Sequence, residues 1–350
     1  MKRNYSIDVI KFVFSIVILL YHFKLFFLGG YLAVEGFFMI SGFLMMNTIS
    51  RQKDSEISKN DSTASFVFKK YSAIFLPLLF SVISGFLIYE LLINSDSLMT
   101  IVKKIPFLTY EIIPLQVAGF QAYYATGVSW YLSAMFLGLA IIHPFAKKNP
   151  EKFAFTVCPP VVLLIYGFLC YKESRLDVPC TWILDFLNSG LLRGIAGLCA
   201  GCLIFALSKK AAEKKEPAVI ERVGYSVLAL VCWAYFFVNI SRLEQVRSIN
   251  DFIITAALFF ALYLDLSGKT FLSVIFRHKW VGVLSTISSY VFMNHYAWAQ
   301  YFVIHYPDAS WKQTLPWYLL CVAVSSAAVM LATFVTRLVI RKIKNSAKEV

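Results

Sequence analysis

The strongest candidate for chemistry in this sequence is His22, a histidine inside an otherwise apolar segment. Lys11 precedes it by almost three turns of an α-helix, with Ser15 and Ile18 between them on the same face. The ammonium and the imidazole then face one cavity or one neighbouring helix, separated along the axis by about 16 Å. Glu35 lies in the next apolar segment, within reach of His22 if the two segments form a hairpin. An imidazole oriented by a carboxylate is an effective acid and base near neutral pH.

Ionisable side chains are rare in the apolar segments, and each costs roughly 2.5–3.5 kcal/mol to insert into lipid. They are therefore the default functional candidates, and they comprise Lys11, His22, Glu35, Asp185, Arg193, Asp265 and His295. Asp185 and Asp265 lie near predicted helix ends, where side chains reach the aqueous interface, so we interpret both as interfacial. For His22 and Glu35 the alternative is a packed, hydrogen-bonded core residue, and the residue pattern alone leaves that alternative open.

The elements that hold these residues are predicted to be membrane-spanning helices. Of 350 residues, 59% are apolar and 15% charged, and the mean hydropathy is +0.68, which leaves too little polar surface for a soluble domain. The long unbroken apolar runs exclude the alternating pattern of a membrane β-barrel. Ten runs can cross a hydrocarbon core of about 30 Å; they lie near 8–28, 30–49, 72–93, 128–146, 153–171, 181–207, 223–240, 251–267, 281–304 and 315–340. We predict an all-α integral membrane protein with ten transmembrane helices, folded as a single domain over residues 1–350.

The basic residues predict how the chain is oriented. Lys and Arg are concentrated in alternate loops, on the side that also carries the amino terminus. By the positive-inside rule that side is cytoplasmic, and an even number of spans puts both the N and C termini there. The net charge of +13 is then explained by topology and by attraction to anionic lipid, so it implies no nucleic-acid partner.

A C-x-x-C motif at Cys199 and Cys202 is the one pattern that resembles a metal or redox site. Its cysteines lie among small residues at four-residue spacing, which is typical of closely packed membrane helices. No second Cys/His pair supplies the further ligands that zinc needs. We therefore predict close packing here and no metal ion.

Several stretches of the chain form a set of motifs in a fixed order, and they comprise residues 7–11, 21–23, 29–44, 130–133, Arg193 and 289–295. This set resembles the acyltransferase-3 family of multi-spanning membrane acyltransferases. The resemblance is most specific over the first fifty residues, where the family has an aspartate and an arginine, ten residues, a histidine, and then a phenylalanine pair before Ser-Gly-Phe-Leu. Weaker matches further along are a Trp-x-Leu-Ser motif, an arginine in a glycine-rich helix and a Tyr-x-x-x-x-His segment.

The resemblance implies an enzyme that takes an acyl group, usually acetyl, from acyl-CoA in the cytoplasm and transfers it to a hydroxyl of an extracytoplasmic or lipid-linked glycan. His22 would be the catalytic acid and base, oriented by Glu35. The residues expected to bind substrate in the cavity are Ser41, Trp130, Ser133, Arg193 and His295. The expected setting is the plasma membrane of a bacterial cell, with membrane lipid, a cell-surface polysaccharide and the glycan-synthesis machinery as partners.

The chain departs from the family pattern at the expected donor site. Lys11 replaces the family's first-helix arginine, which keeps the charge but loses the planar fork that binds phosphate or carboxylate. The family's Arg-x-x-Arg pair before the third-helix proline aligns with Tyr71 and Ile74. Lys69 and Lys70 lie one turn away, where they would contact the phosphates of coenzyme A as point charges or would be ordinary positive-inside lysines. We predict Lys11, Lys69 and Lys70 as the cofactor-binding residues.

Two other functions remain open from the sequence. A transporter or flippase for a glycan or an organic acid would use His22, Glu35 and Lys11 as a proton relay, although the inverted repeats typical of transporters are not visible. A sensor or assembly partner without chemistry is compatible with the missing arginines.

Overall fold

A computed structural model describes residues 5–54, 62–120, 125–177, 181–183, 185–213, 216–242, 249–272 and 281–346. Over these ranges the chain is a bundle of long helices with one short hairpin. The long helices are α1 (Ser6–His22), α2 (Ala33–Asp54), α3 (Thr63–Leu87), α6 (Ser129–Lys148), α8 (Cys158–Glu173), α9 (Ser189–Ala212), α10 (Val219–Arg242), α11 (Ile249–Leu266), α12 (Gly282–His305) and α13 (Trp311–Ser346). The shorter elements are α4 (Leu98–Lys104), α5 (Thr109–Ile112), α7 (Pro150–Lys152) and strands β1 (Trp182–Ile183) and β2 (Leu187–Asn188).

Eight helices of the described chain are long and apolar enough to cross a membrane, so the prediction of an all-α membrane protein is confirmed. They contain α2, α3, α6, α8, α9, α10, α11 and α13. Of the ten predicted spans, the other two are also helices, but α1 is only 17 residues long and the 24-residue α12 has a more polar composition. Ten crossings with cytoplasmic termini stay a prediction.

The end of α1 differs from the predicted one. The first apolar run extends to residue 28, but the helix ends at His22. Lys24 and Phe26 have φ angles of 59° and 62°, in the left-handed region that a right-handed helix cannot include. His22 therefore lies in the last turn of α1, at the edge of the bundle's helical core.

The predicted sixth span, 181–207, also begins differently. Its first residues form the antiparallel hairpin β1–β2, in which Trp182 pairs with Asn188. α9 starts only at Ser189, and the Asn188 side chain accepts a 2.9 Å hydrogen bond from the Gly190 amide in its first turn. An Asn at this position satisfies a free N–H group of the helix end, which explains why the helix begins here.

The contact between α2 and α9 is the most extensive helix pairing in the bundle. A Cβ atom at Gly201 would lie 1.9 Å from the Met39 carbonyl oxygen, so only glycine allows the two backbones to approach this closely. Cys199 and Cys202 are buried beside it. The predicted close packing of the C-x-x-C segment is confirmed, and within the described ranges no three His, Cys, Asp or Glu side chains are grouped to hold a metal ion.

The interfacial interpretation of two aspartates has different outcomes. Asp185 is exposed in the hairpin loop. Asp265 is buried, and it accepts hydrogen bonds from the Trp233 indole (2.7 Å) and the Thr270 hydroxyl (2.9 Å). Asp265 therefore does not extend to an aqueous surface as we expected, because protein donors satisfy its carboxylate instead.

α1 lies parallel to α12, a helix that is remote from it in the sequence. Three contacts follow in register along the interface: Lys11 Nζ to Ser285 Oγ (3.2 Å), Ser15 Oγ to Ser288 Oγ (2.6 Å), and the ring of His22 to that of His295 (5.2 Å between centroids). The two helices contact each other from the start of α1 to its end, and this pairing places the ring of His22 beside that of His295.

Candidate active site

A cavity of about 230 Å³ lies where α1 ends and where α2, α6 and α9 begin. The polar and aromatic side chains that line it are Tyr21, His22, Tyr31, Trp130, Tyr131, Asp177, Arg193, Phe292 and Tyr296. Three of the predicted site residues, His22, Trp130 and Arg193, therefore share one cavity although they come from three different helices.

His22 occupies one wall of this cavity and is half-buried. Its ring lies 5.0 Å from that of Tyr296, perpendicular to it, and 4.9 Å from that of Tyr21. The ring of His295 lies behind it, away from the cavity lining, at 5.2 Å. The imidazole is thus held between aromatic rings, with one side available to a molecule in the cavity.

His295 is fully buried and has a defined hydrogen-bonding pattern. Its Nδ1 lies 2.9 Å from the Phe292 carbonyl oxygen and 3.3 Å from that of Val291. Since a carbonyl oxygen can only accept, Nδ1 carries the hydrogen, and in a neutral ring Nε2 carries the lone pair. Nε2 is buried and has no hydrogen-bond partner within the described chain.

Among the described residues that line the cavity, Arg193 is the one arginine, and it is fully buried. Its Nε and Nη2 groups donate to one oxygen of Glu35, at 2.8 Å and 2.7 Å. Tyr166 donates to the other oxygen of Glu35. The guanidinium also lies 5.1 Å above the Trp130 ring, a cation–π distance, and its Nη1 group has no hydrogen-bond partner in the described ranges.

The expected contact between Glu35 and His22 is wrong. Glu35 is fully buried, and its two oxygens are bonded to Arg193 and Tyr166 on α9 and α8. A buried carboxylate needs an opposite charge and hydrogen-bond donors, and Arg193 supplies both. Glu35 therefore positions Arg193 at the cavity rather than orienting His22.

The amino-terminal parts of three helices add a positive field to the cavity. Val34 lies in the first turn of α2, Trp130 and Tyr131 lie in the first turn of α6, Arg193 lies in the second turn of α9, and all four line the cavity. The N-terminal end of each helix carries a partial positive charge from its unpaired N–H groups. Together with the guanidinium, these ends make the cavity suited to a negatively charged or strongly polarised oxygen.

Asp177 is a cavity residue that the sequence did not reveal. It lies in the segment after α8, and its carboxylate accepts a 2.6 Å hydrogen bond from the Tyr21 hydroxyl. The neighbouring Tyr31 hydroxyl donates to Asp251 at 2.9 Å. An aspartate in a polar loop gives no signal of burial, so only the tertiary structure brings it to the site.

Glu111 is a second residue that the sequence analysis missed. It is fully buried and accepts hydrogen bonds from the Ala125 amide (2.7 Å), the Thr126 amide (2.8 Å) and the Ser129 hydroxyl (3.1 Å). These bonds fix the segment that leads into α6, including Gly127 in the cavity wall. A single carboxylate in the apolar stretch 105–118 is a signal that could have pointed to it.

The loop before this segment is anchored by a charge cluster in which Lys104, at the end of α4, and Asp96 meet Glu90 at the end of an apolar helical segment. Lys104 donates to the buried Glu90 at 2.9 Å and to Asp96 at 2.5 Å. The hydrogen bond from Lys104 lowers the pKa of Asp96, and the bonds to Asp96 and Glu90 raise the pKa of Lys104. The two groups therefore keep their opposite charges over the whole neutral range.

Besides His295, which lies behind His22, two predicted substrate-binding residues do not line the cavity. The Ser41 hydroxyl lies 3.4 Å from the Tyr131 hydroxyl, so it contacts the cavity wall from behind. Ser133 accepts a 3.2 Å hydrogen bond from the Val117 amide and thereby holds the loop against α6. Both side chains support lining residues, and direct substrate binding by either stays a prediction.

The predicted cofactor-binding lysines lie at the opposite end of α1. Lys70 lies 5.1 Å from the Phe66 ring and close enough to Lys11 for their charges to interact, whereas Lys69 is exposed. Arg337 of α13 reaches the same region, where it donates a 3.1 Å hydrogen bond to the Ala73 carbonyl. The start of α3 is thus surrounded by basic side chains from α1, α3 and α13.

Fold and site define a multi-pass membrane protein in which a histidine and a buried arginine share one cavity. A model of the acyltransferase-3 family, described as an acyltransferase domain, matches residues 4–335. The chain belongs to this family and is a membrane acyltransferase, so the resemblance seen in the sequence is confirmed over nearly the whole length. No curated protein and no solved structure matches the chain.

Proposed function

We propose that this acyltransferase moves an acyl group, most simply acetyl, from acyl-CoA to a hydroxyl of a cell-surface or lipid-linked glycan. The observation that carries the proposal is that His22 and Arg193, whose Nη1 has no partner within the described chain, line the same cavity. The first is a base for an acceptor hydroxyl, and the second is a donor for an acyl carbonyl oxygen.

His22 removes the hydroxyl proton as the acceptor oxygen attacks the acyl carbon. The new C–O bond forms, the C–S bond of the thioester breaks, and the coenzyme A thiolate leaves with the proton that the imidazole had taken. The neutral ring is the reactive form, since only it has a free lone pair.

Arg193 stabilises the negative charge that develops on the carbonyl oxygen during attack. Its Nη1 group donates to that oxygen, while Glu35 holds the rest of the guanidinium in a fixed position. The Trp130 ring limits its movement on the other side. Glu35 thus contributes to catalysis indirectly, because it holds the guanidinium of Arg193 in position.

The donor binds with its phosphates near Lys11, Lys69 and Lys70 and with its thioester at His22. The helical rise between Lys11 and His22 is about 16 Å, a distance that the pantetheine arm of coenzyme A can bridge. The lysines contact the phosphates as point charges, and Arg337 adds a guanidinium to the same region. Acyl-CoA is a donor substrate, and the proposed chemistry requires no metal ion.

The orientation that suits this reaction is the one the basic residues predict. Ten spans with cytoplasmic termini put the lysines on the side that supplies acyl-CoA and the cavity on the side that carries the glycan. The proposed setting is the plasma membrane of a bacterial cell, where the enzyme works beside the glycan-synthesis machinery.

Mass spectrometry of surface glycans from cells with and without the gene tests the proposal. Complementation compares the wild type with His22→Ala and with His305→Ala, a control in which an exposed histidine of α12 is removed. We expect the deletion to remove an acyl-sized mass that the wild type and the control restore and His22→Ala does not. Unchanged acylation together with reduced surface glycan would contradict an enzyme and favour a transporter.

A further inference from the structure

The rings of His22 and His295 are neighbours, and the proposed reaction uses only the first of them. A nitrogen-to-nitrogen hydrogen bond of about 2.9 Å between two imidazoles requires their centroids to be separated by roughly the observed 5.2 Å. The rings are tilted by 38°, and His295 Nε2 is still without a partner in the described chain. Because His22 is half-buried and ends its helix, rotation of its side chain can bring one of its nitrogens toward His295 Nε2.

The hydrogen-bonding state of His295 makes it a proton acceptor. Its Nδ1–H is committed to the Phe292 and Val291 carbonyls, so the lone pair of the neutral ring is on Nε2. The same two carbonyl dipoles would stabilise a positive charge on the ring after it accepts a proton. The two carbonyls therefore fix the tautomer and the orientation of the His295 ring, which is one role of the carboxylate in a catalytic triad.

We propose that His295 accepts a proton from His22 during acyl transfer, so that the two histidines form one relay; this rests on the proposed function. One nitrogen of His22 takes the proton of the acceptor hydroxyl, and its other nitrogen passes a proton to His295 Nε2. When the C–S bond breaks, His295 returns that proton and His22 protonates the departing thiolate, so both rings end neutral. His295 acts through His22 and is a positioning and proton-accepting residue.

The other ionisable side chains at the cavity have different partners. The Asp177 carboxylate is bonded to the Tyr21 hydroxyl, and the carboxylate of Glu35 is bonded to Arg193 and Tyr166. The phenol of Tyr296 contacts the edge or face of His22 but is a weak base. Within the described chain, His295 is therefore the basic group best situated to take a proton from His22.

Two substitutions separate proton acceptance from packing. His295→Gln keeps an amide that can donate to the Phe292 carbonyl and an oxygen that can accept a hydrogen bond, but it cannot take up a proton. His295→Phe keeps an aromatic ring at this position and removes both ring nitrogens. The matched control is His305→Gln, which changes an exposed histidine on the same helix.

The first readout is the release of coenzyme A from acetyl-CoA, measured as free thiol, in membrane vesicles that carry the native glycan. We expect both His295 variants to lose about 100-fold or more in kcat, with the KM for acetyl-CoA unchanged and the control equal to the wild type. A His295→Gln variant within a few-fold of the wild type would overturn the relay and leave His295 a packing residue.

The second readout does not depend on the acceptor or on turnover. Diethyl pyrocarbonate acylates the neutral imidazole of His22, and the proton on the other ring nitrogen must leave in that reaction. Mass spectrometry of the His22 peptide is expected to show slower modification in His295→Gln than in the wild type and in His305→Gln. Equal rates would overturn the relay. If wild-type vesicles release no more thiol than His22→Ala vesicles, the proposed function fails, and the modification rates still decide whether the histidines are coupled.

Discussion

At the residue scale, Arg193 binds an acid through part of its guanidinium and also lines the cavity. Two of its nitrogens donate to Glu35, and the third has no partner in the described ranges. This division depends on the rigid planar fork of arginine, which presents several N–H groups in fixed directions. A lysine has one mobile ammonium and cannot do both.

Arg193→Lys is therefore expected to lower kcat by about 100- to 1,000-fold, the usual cost of removing one donor to a developing oxyanion. The buried Glu35 keeps a cationic partner, so the protein stays folded. Thiol release from acetyl-CoA measures the loss, and Arg222→Lys, in an ion pair with the exposed Glu216, is the control. A Lys variant with wild-type kcat would show that Nη1 makes no contact in the transition state.

The free energy of unfolding of variants at Glu35 tests the ion pair between Glu35 and Arg193. Glu35→Leu leaves the guanidinium of Arg193 buried without a counter-charge, which is expected to cost about 3–5 kcal/mol. The double variant with Arg193→Met removes both charges and is expected to recover most of this stability while staying inactive. Thermal unfolding of the purified variants measures the difference. A double variant no more stable than Glu35→Leu would contradict the coupling.

The sequence allowed some of these residues to be predicted and not others. His22, Trp130 and Arg193 could be predicted, because each is a polar or aromatic group within a motif and the cavity contains all three. The partner of Glu35 could not be predicted, because a hairpin model of two segments says nothing about which neighbouring helix a side chain faces. Asp177 could not be predicted either, because only the conformation of the loop after α8 brings it to the cavity.

At the element scale, the segment between α5 and α6 determines the shape of the cavity wall. Gly127 has a φ of 61°, which side chains rarely adopt, and a Cβ there would lie 2.1 Å from the Tyr296 ring. Glu111 holds the residues on either side of this glycine through its hydrogen bonds to Thr126 and Ser129. The wall is therefore fixed both by backbone conformation and by a buried carboxylate.

Gly127→Ala is expected to displace Tyr296 and with it the ring of His22 that it contacts. The left-handed backbone alone costs on the order of 1–2 kcal/mol for alanine, and we expect at least a tenfold loss of kcat from the displaced ring. Thiol release and thermal unfolding measure the two effects. Gly224→Ala is the control, because a Cβ at that helical glycine meets open space. Full activity in Gly127→Ala would contradict the role of this contact.

Helix boundaries were the least predictable element property. Apolar periodicity continues past His22 to residue 28, so the local pattern favours a longer α1. The positive φ angles of Lys24 and Phe26 result from the tertiary packing of the connection rather than from glycine, and neither residue type signals them. The hairpin before α9 was hidden in the same way, because its residues are as apolar as the helix that follows.

At the scale of the whole molecule, composition was sufficient to predict a helical membrane protein, and the comparison with known families confirmed an acyltransferase. The pairing of α1 with α12 was not predictable. Hydropathy identifies which segments enter the membrane, but it carries no information on which of them become neighbours. The register of Lys11 with Ser285 and of His22 with His295 is visible only in the folded bundle.

The ten-span topology gives a prediction for the intact cell. Single cysteines replace Leu28 and Ala309, at the cavity end, and Ser62 and Lys344, at the opposite end; all four side chains are exposed. A membrane-impermeant thiol reagent is expected to label the first two in intact cells and the second two only after lysis. Failure of Leu28→Cys to label from outside would contradict a spanning α1, and failure of Ala309→Cys would contradict a spanning α12.

The partnership of α1 with α12 also has a consequence for how the protein is made. A chain synthesised from its amino terminus presents His22 to the membrane long before the ribosome has produced the residues of α12, since 274 positions separate Lys11 from Ser285. During that interval the polar face of α1, with Lys11 and Ser15, lacks its permanent neighbour and must be shielded by lipid headgroups, water or an insertion chaperone. The cavity at His22 is thus among the last parts of the molecule to be assembled, so we expect nascent or prematurely terminated chains to be inactive and to carry an exposed polar helix that quality-control proteases can recognise.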